Sequence, residues 1–394
     1  MGIYRAYKFR LYPNEGQKIL IHKTFGCARF VYNYYLNYQK EQGIKKAFDL
    51  CKDLKELENN HEYLKEVDSC ALRCSIFDLE DGFNNFFAKR SGYPKFKSKY
   101  YETGYPNFKS KFARQSYRTS CIRSTYKGKE YSNIEVDLLT RFIKLPKLGK
   151  VKIRGYRSKE IIEGKIVNAT ISRETTNKYY VSVLVEEDIL MDKVTPTTIV
   201  GIDLGIKDLV VTSDGIKYGN EKVLTKYEKR LKRLQRKLSR QVKGSKNYLK
   251  TKEKIARIHA KIKNYRKHYL NDIANEIVNE HDIIVTESLL VKDMFKDKKK
   301  AFNKSLSDAS LSKLCSLIEW KSKIKGKIYY KINTYYPSSQ ICSTCGYKNE
   351  KLKDLNIREY ECPECGSHND RDINASLNIL LEGLKLHYNL VSIV

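Results

Sequence analysis

Four of the ten cysteines stand in two short motifs, Cys342-Ser-Thr-Cys345-Gly346 and Cys362-Pro-Glu-Cys365-Gly366. Each motif reads as a knuckle, two thiolates on a tight turn with a glycine that lets the backbone fold back. Two knuckles together complete a closed tetrahedral thiolate site suited to a structural Zn²⁺. A thiol redox pair would need only one such motif, in an oxidoreductase setting. The other cysteines (Cys27, Cys51, Cys70, Cys74, Cys121 and Cys315) are scattered, as buried thiols of a reducing compartment are. A second set is acidic. Asp203 interrupts the apolar run Ile199-Val-Gly-Ile-Asp203-Leu, Glu287 closes Asp282-Ile-Ile-Val-Thr-Glu287, and Asp372 stands where a last helix opens at Arg371-Asp372-Ile373-Asn374. A carboxylate on a buried strand must pair or bind a cation to offset its desolvation. On neighbouring strands, about 4.8 Å apart, Asp203 and Glu287 could bridge two Mg²⁺ ions roughly 3.5–4 Å apart. Asp372 would approach from a helix N-terminus, where negative charge is favoured. Such a site aligns a water and stabilises the leaving 3′-oxygen in phosphodiester hydrolysis. Asp208 reads as a hairpin residue and Asp370 as an N-terminal helix charge.

The elements that must position these groups follow from periodicity. Residues 3–12 alternate apolar and basic, a half-exposed strand that ends at Pro13 and Asn14. Helical spacing follows from Gln17 to about Gln42, from about Phe48 to Tyr63, and from Asp68 to Lys89. Residues from about 120 to 188 are β-rich, with clear runs at Ile134–Leu138, Lys150–Arg154 and Tyr179–Val185. The first 195 residues thus form a β module (about 1–13 and 115–195) with a helical insertion (about 14–114). Composition changes at Val194-Thr-Pro-Thr-Thr198, a domain boundary. A strand, a bend, a strand, a turn at Asp214-Gly215 and a third strand follow. From Lys222 to His268 nearly all charge is positive, and apolar residues step at helical spacing on both sides of Gly244-Ser245. This predicts an antiparallel helical hairpin with one apolar seam and a cationic exterior. A strand at 282–287, a helix near 310–324 and a strand at 327–333 precede the cysteines. Trp320 reads as core, His368 as a bystander to zinc, and Ser307 or Asp308 as a helix cap.

Charge narrows the partner. The 394 residues carry 76 Lys and Arg against 46 Asp and Glu, a net charge of +30. That excess, concentrated in stretches, calls for a polyanion. No apolar run is long enough to span a membrane and the first residues lack a signal-peptide core, which favours nucleic acid over lipid. Arg230, Arg233, Arg236, Lys237, Arg240 and Lys246 on the hairpin are candidate phosphate contacts. So are Lys97 and Lys109, in the doubled phrase Gly92-Tyr-Pro-Lys-Phe96-Lys97-Ser-Lys and Gly104-Tyr-Pro-Asn-Phe108-Lys109-Ser-Lys. There a Gly-Tyr-Pro bend precedes an alternation with Phe96 and Phe108 on one side and the two lysines on the other. The doubling either lengthens a phosphate-gripping loop or is a neutral duplication within a basic connector.

Taken in order, "GIDLGIKDLVVTSDG", "IIVTESL", "YPSSQICSTCG" and "CPECGSHNDRDINASLNIL" resemble the split RuvC nuclease motifs and zinc ribbon of the TnpB family, transposon-encoded relatives of type V CRISPR effectors. "YRAYKFRLYPNEGQ", "FGCARFVYN" and "GYPKFKSK" extend the resemblance over nearly the whole chain. It implies a multidomain α/β protein. An RNase H-like (RuvC) nuclease domain (196–340 and 367–394) would hold an inserted four-cysteine zinc ribbon (341–366), preceded by a β-barrel-like module with its helical insertion. Asp203, Glu287 and Asp372 match the three RuvC acids; Ser288 stands where many relatives have Asp or Asn, and the doubled phrase departs from an expected single copy. The resemblance further implies a guide RNA transcribed from the transposon end, a short duplex motif read beside the target, and Mg²⁺-dependent cutting of double-stranded DNA at the nucleoid in the cytoplasm. The alternatives are an RNA-guided DNA-binding repressor without cleavage, which would be expected to lose one of the acids this chain retains, and a compact type V CRISPR effector.

Overall fold

Asn14 sets where the first helix begins. In the computed structural model of the chain, its side chain accepts the Gln17 N–H at 2.8 Å and the Gln17 side chain accepts the Asn14 N–H at 3.0 Å, a reciprocal cap. The structure describes residues 2–88, 109, 115–126, 129–155, 164–188, 196–290, 294, 300–354 and 356–387. The chain divides into two compact units, Met1–Ile189 and Leu190–Val394.

The first unit opens with β1 (Gly2–Tyr12), followed by α1 (Glu15–Gln42), α2 (Ala47–Asn60) and α3 (Ser69–Phe87). The strands β2 (Gln115–Ser120), β3 (Arg123–Tyr126), β4 (Lys129–Ser132), β5 (Glu135–Asp137), β6 (Phe142–Leu145), β7 (Gly149–Arg154), β8 (Lys165–Arg173) and β9 (Tyr179–Asp188) complete it. Seven of them form an antiparallel sheet in the order β2-β8-β9-β1-β7-β6-β5, while β3 and β4 pair apart. The period-2 pattern fixes register: Tyr7, Phe9 and Leu11 of β1 and Val181, Val183 and Val185 of β9 all point inward. The expected barrel-like module does not close into a barrel among the described residues, since β2 and β5 remain separate edges. The reason is that helices cover the apolar face. Ile21, Phe25 and Ala28 of α1 and Ala71 of α3 join the same core as the strands, so no opposing strands are needed to close it. A second core unites the three helices, with Val31, Tyr35 and Leu36 packed against Leu50, Leu54, Leu72, Ile76 and Leu79.

In the second unit, β10 (Ile199–Asp203), β11 (Asp208–Thr212) and β12 (Lys217–Gly219) form an antiparallel meander. After α4 (Val223–Ser239) and α5 (Lys246–Glu280), β13 (Ile283–Glu287) pairs parallel with β10. After α6 (Lys300–Ala309) and α7 (Leu311–Ile324), β14 (Ile328–Ile332) pairs parallel with β13. The sheet order is β12-β11-β10-β13-β14. A short hairpin, β15 (Glu359–Glu361) with β16 (His368–Asp370), leads into α8 (Arg371–His387). Helices cover both faces. The hairpin helix expected to end near His268 runs on to Glu280, because Leu270, Ile273, Ala274, Ile277 and Val278 bury it against Val200, Ile202 and Ile284 of the sheet, together with Leu314 and Ile318 of α7. Trp320 is not core: it is 40 % exposed. It lies two residues, about 200° of rotation, beyond Ile318 and so off the stripe made by Leu311, Leu314 and Ile318. On the opposite face α8 approaches so closely that a Cβ on Gly201 would lie 2.1 Å from Ser376 O, and one on Gly383 would lie 2.4 Å from a Val285 methyl.

Candidate metal centres

Strand alternation aims two of the acids at α8. In β10, Val200 and Ile202 face the α5 side, so Gly201 and Asp203 face α8. In β13, Ile284 faces α5, and Ile283, Val285 and Glu287 face α8. The strands run parallel with Ile202 opposite Thr286, so Asp203 and Glu287 come next, side by side at the carboxyl ends. Asp372 stands in the first turn of α8, and its charge acts on Asp203. The electrostatics record the meeting. Burial and then the Asp372 charge push the Asp203 carboxyl up to about 7, and burial and then Asp203 push Glu287 up to about 7. Neither Asp203 nor Glu287 makes an ion pair among the described residues. Asp372 has one, with Arg358 Nη1 at 3.3 Å. Asp370 caps α8: its Oδ1 accepts the Asp372 and Ile373 N–H groups, each at 3.0 Å, and its Oδ2 pairs with Lys217 at 2.6 Å. Asp208 opens the second hairpin strand. Asp308 also caps a helix, though not its own: it accepts the Leu224 N–H of α4 at 3.1 Å and pairs with Arg266.

The four motif cysteines converge. Their sulfurs all lie within 4.8 Å of one another, the one group of His, Cys, Asp or Glu among the described residues already close enough to hold a metal ion. Cys342 and Cys365 Sγ stand 3.8 Å apart, and Cys345 and Cys362 Sγ 3.7 Å apart. The two turns are built alike. Gly346 (φ 80) and Gly366 (φ 68) donate to Cys342 O at 2.9 Å and Cys362 O at 2.8 Å, while Cys342 and Cys362 donate to Tyr347 O and Ser367 O. Positive φ is what makes glycine necessary after each second cysteine. The Ser367 hydroxyl holds the Cys365 thiol below the usual range. His368 lies in β16, outside the sulfur cluster. The cysteine segment also clasps α8 through residues that sequence reasoning passed over: buried Arg371 donates to Asp354 O at 3.1 Å, Asn374 and Asn378 reach Ile341 O, and Arg358 meets Asp372.

The candidate phosphate contacts are distributed as follows. Val223, Leu231, Ile258 and Ile262 bury the seam between α4 and α5. Arg230, Arg233, Arg236, Lys237, Arg240 and Lys246 are exposed, and none of them pairs with an acid among the described residues. Lys97 and the doubled phrase up to Phe108 lie outside the described residues. Lys109 lies within them; Asn33 clamps its backbone N–H at 2.7 Å and its carbonyl at 2.9 Å, and its ammonium stands 3.8 Å from the Tyr32 ring centre. A further basic surface lies on the outer face of the seven-stranded sheet. Lys8 stacks on Tyr180 at 4.2 Å, Arg10 on Tyr12 at 5.1 Å, and Arg154 on the same Tyr12 at 5.8 Å, with Lys144, Lys150 and Lys152 exposed beside them. The basic phase of the alternation in residues 3–12 carried that signal. No described helix is long and apolar enough to cross a membrane.

Comparison with known proteins follows the same division. A family model described as "Probable transposase" matches residues 180–298, and the "Cas12f1-like, TNB domain" model matches 312–379. A "Helix-turn-helix domain" model matches 1–43, where the structure has one strand and one helix. A Streptomyces pristinaespiralis protein bearing the name "Putative RNA-guided DNA endonuclease" is 35% identical over 389 residues, 96% of this chain and 89% of that one. Escherichia coli K12 "Putative RNA-guided DNA endonuclease InsQ" is 29% identical, over 96% and 92%. Among solved structures, the protein of a Cas12f1-sgRNA-target DNA complex superposes with a TM-score of 0.52 at 17% identity, over 96% of this chain and 98% of that one, a likeness of fold.

Proposed function

The chain belongs to the TnpB family, and on that premise we propose that it is a transposon-encoded, RNA-guided DNA endonuclease that hydrolyses phosphodiester bonds beside a short duplex motif. The observation that carries this reading is the placement of Asp203 and Glu287 side by side at the carboxyl ends of two adjacent parallel strands, with the Asp372 charge acting on Asp203. A three-stranded meander followed by two parallel strands, with helices on both faces, supports an RNase H-like domain.

The donor set fits the metals this chemistry needs. Carboxylate oxygens are hard ligands suited to Mg²⁺. Held by Asp203, Glu287 and Asp372, two such ions would activate a water and stabilise the departing 3′-oxygen. The protein's own part is to aim these carboxylates and keep them ionisable. The β10–β13 pairing fixes the spacing of Asp203 and Glu287, the Asp370 cap fixes the turn that carries Asp372, and Arg358 holds the Asp372 carboxylate. For the cysteines, a Zn–S bond of about 2.3 Å implies tetrahedral sulfur–sulfur edges of about 3.8 Å. The separations of 3.8 and 3.7 Å match it, supporting a structural Zn²⁺ on Cys342, Cys345, Cys362 and Cys365.

In an RNA-guided enzyme, base pairing supplies the sequence reading, and the protein needs mainly phosphate contacts. The cationic α4–α5 exterior would flank the guide–target duplex, and the stacked Lys8, Arg10, Tyr12 and Arg154 face would hold the guide RNA. Co-expression with the DNA that flanks the gene, followed by sequencing of the RNA that co-purifies, tests this. One discrete transcript derived from the element's end is expected; RNA of random cellular origin would overturn it.

A further inference from the structure

Asn374 and Asn378 stand four residues apart on α8 and so project from the same face. Both are buried, at 1 % and 2 % exposure. A buried carboxamide must find partners, and these find theirs on the chain entering the first cysteine knuckle. Asn378 Nδ2 donates to Ser338 O at 2.8 Å and to Ile341 O at 2.6 Å. Asn374 Nδ2 donates to Ile341 O at 2.7 Å, and Asn374 Oδ1 accepts the Ser343 N–H at 2.8 Å. Ser343 lies inside the knuckle, between Cys342 and Cys345. Asn374 lies two residues from Asp372, in the first turn of α8. The chain before the second knuckle grips the same turn: Arg358 O accepts the Arg371 N–H at 2.8 Å, and the Arg358 side chain meets Asp372. A first helical turn has unpaired N–H groups and frays unless held. Here Asp370 holds it from one side, and Asn374 ties it to the knuckle on the other.

We propose that Asn374 is a positioning residue that makes the placement of the Asp372 carboxylate depend on the folded thiolate site. The thiolate site then supports cleavage by fixing an acid of the carboxylate centre. This rests on the reading above that Asp203, Glu287 and Asp372 share divalent cations. Asn378, anchored only to the approach segment at Ser338 and Ile341, lacks the bond into the knuckle and serves as the control.

The test uses full-length protein without DNA and follows Mn²⁺ binding by electron paramagnetic resonance, Mn²⁺ standing in for Mg²⁺. Asn374→Ala should weaken Mn²⁺ binding about tenfold, within the range seen when a ligand's hydrogen-bonded support is removed, while retaining the thiolate-bound zinc measured by metal analysis. Asn378→Ala should leave Mn²⁺ affinity within about twofold, since it removes no contact to the turn carrying Asp372. Cys362→Ser should lose at least as much Mn²⁺ affinity as Asn374→Ala, since it also loosens the Arg358 segment, and combining the two should add nothing beyond Cys362→Ser, because the Asn374 tie runs through the folded thiolate site. Equal Mn²⁺ loss in Asn374→Ala and Asn378→Ala would overturn the proposal by making both merely structural. So would unchanged Mn²⁺ binding in Cys362→Ser, which also decides the matter should Asn374→Ala not fold. Asp203→Ala separates the two levels of the account. If it leaves Mn²⁺ binding intact, the carboxylate centre itself is wrong; if it abolishes binding while Asn374→Ala does nothing, only the positioning role is wrong.

Discussion

Lowering the pH should raise the Mg²⁺ that the protein needs, and the size of the effect follows from the carboxylate pair. Burial, reinforced by the neighbouring acids, pushes Asp203 and Glu287 up to about 7. Below that pH each carries a proton that a cation must displace. With both near 7, the doubly ionised fraction is about 0.8 at pH 8, about 0.25 at pH 7 and about 0.01 at pH 6. The half-saturating Mg²⁺ concentration should therefore rise about threefold from pH 8 to 7 and about thirtyfold more to pH 6. The sign also appears in stability. Without cations the folded protein binds more protons than the unfolded chain between the ordinary carboxylate range and pH 7, so stability falls as pH rises through that window, and added Mg²⁺ restores it at pH 8. The assay is single-turnover cleavage of guide-matched DNA against Mg²⁺ at the three pH values and constant ionic strength. A half-saturation that stays flat, or that falls toward pH 6, would refute the placement of these two acids in one desolvated site.

Three further outcomes follow from other parts of the molecule. Gly201→Ala drives a methyl to 2.1 Å from Ser376 O, and should cost about 3 kcal/mol; a melting temperature equal to wild type would show that α8 does not lie so close to β10. Cys362→Ser should drop the zinc content well below one ion per chain and expose residues 341–366 to protease, whereas retained metal and protection would contradict the four-thiolate site. Replacing Arg230, Arg233, Arg236 and Arg240 with Gln should flatten the log–log salt dependence of duplex binding by about 0.9 for each phosphate that the protein no longer neutralises, and an unchanged slope would remove the α4–α5 exterior from the interface.

How much of this was legible in the sequence depended on the range of the interactions. The cysteine knuckles are local: two residues between ligands and a glycine after them fix the turn, and the structure has both turns. The strand positions of Asp203 and Glu287 were legible, since one interrupts an apolar run and the other closes one, and period-2 alternation leaves each on a defined face. Asp208 and Asp370 likewise opened a strand and capped a helix. The open edge of the first sheet was not legible, because strand runs do not say whether their edges will meet or whether α1 and α3 will cover the face instead. The continuation of α5 to Glu280 was missed because its last turns swap an amphipathic pattern for burial between sheet and helix. Trp320 was misplaced by judging its type over its angle on α7. Arg358, Asn374 and Asn378 owe their roles to partners across the cysteine segment. Two asparagines four apart inside a helix, where asparagine is disfavoured, were the one local trace of that clasp.

The most direct test of the central claim is cleavage by the purified complex. Loaded with its co-purified RNA and given Mg²⁺, wild-type protein should cut DNA that matches the guide, and Asp203→Ala, Glu287→Ala and Asp372→Ala, each still carrying the RNA, should not. Intact DNA after incubation with the wild-type complex, or cutting by any of the three variants at the wild-type rate, would contradict it.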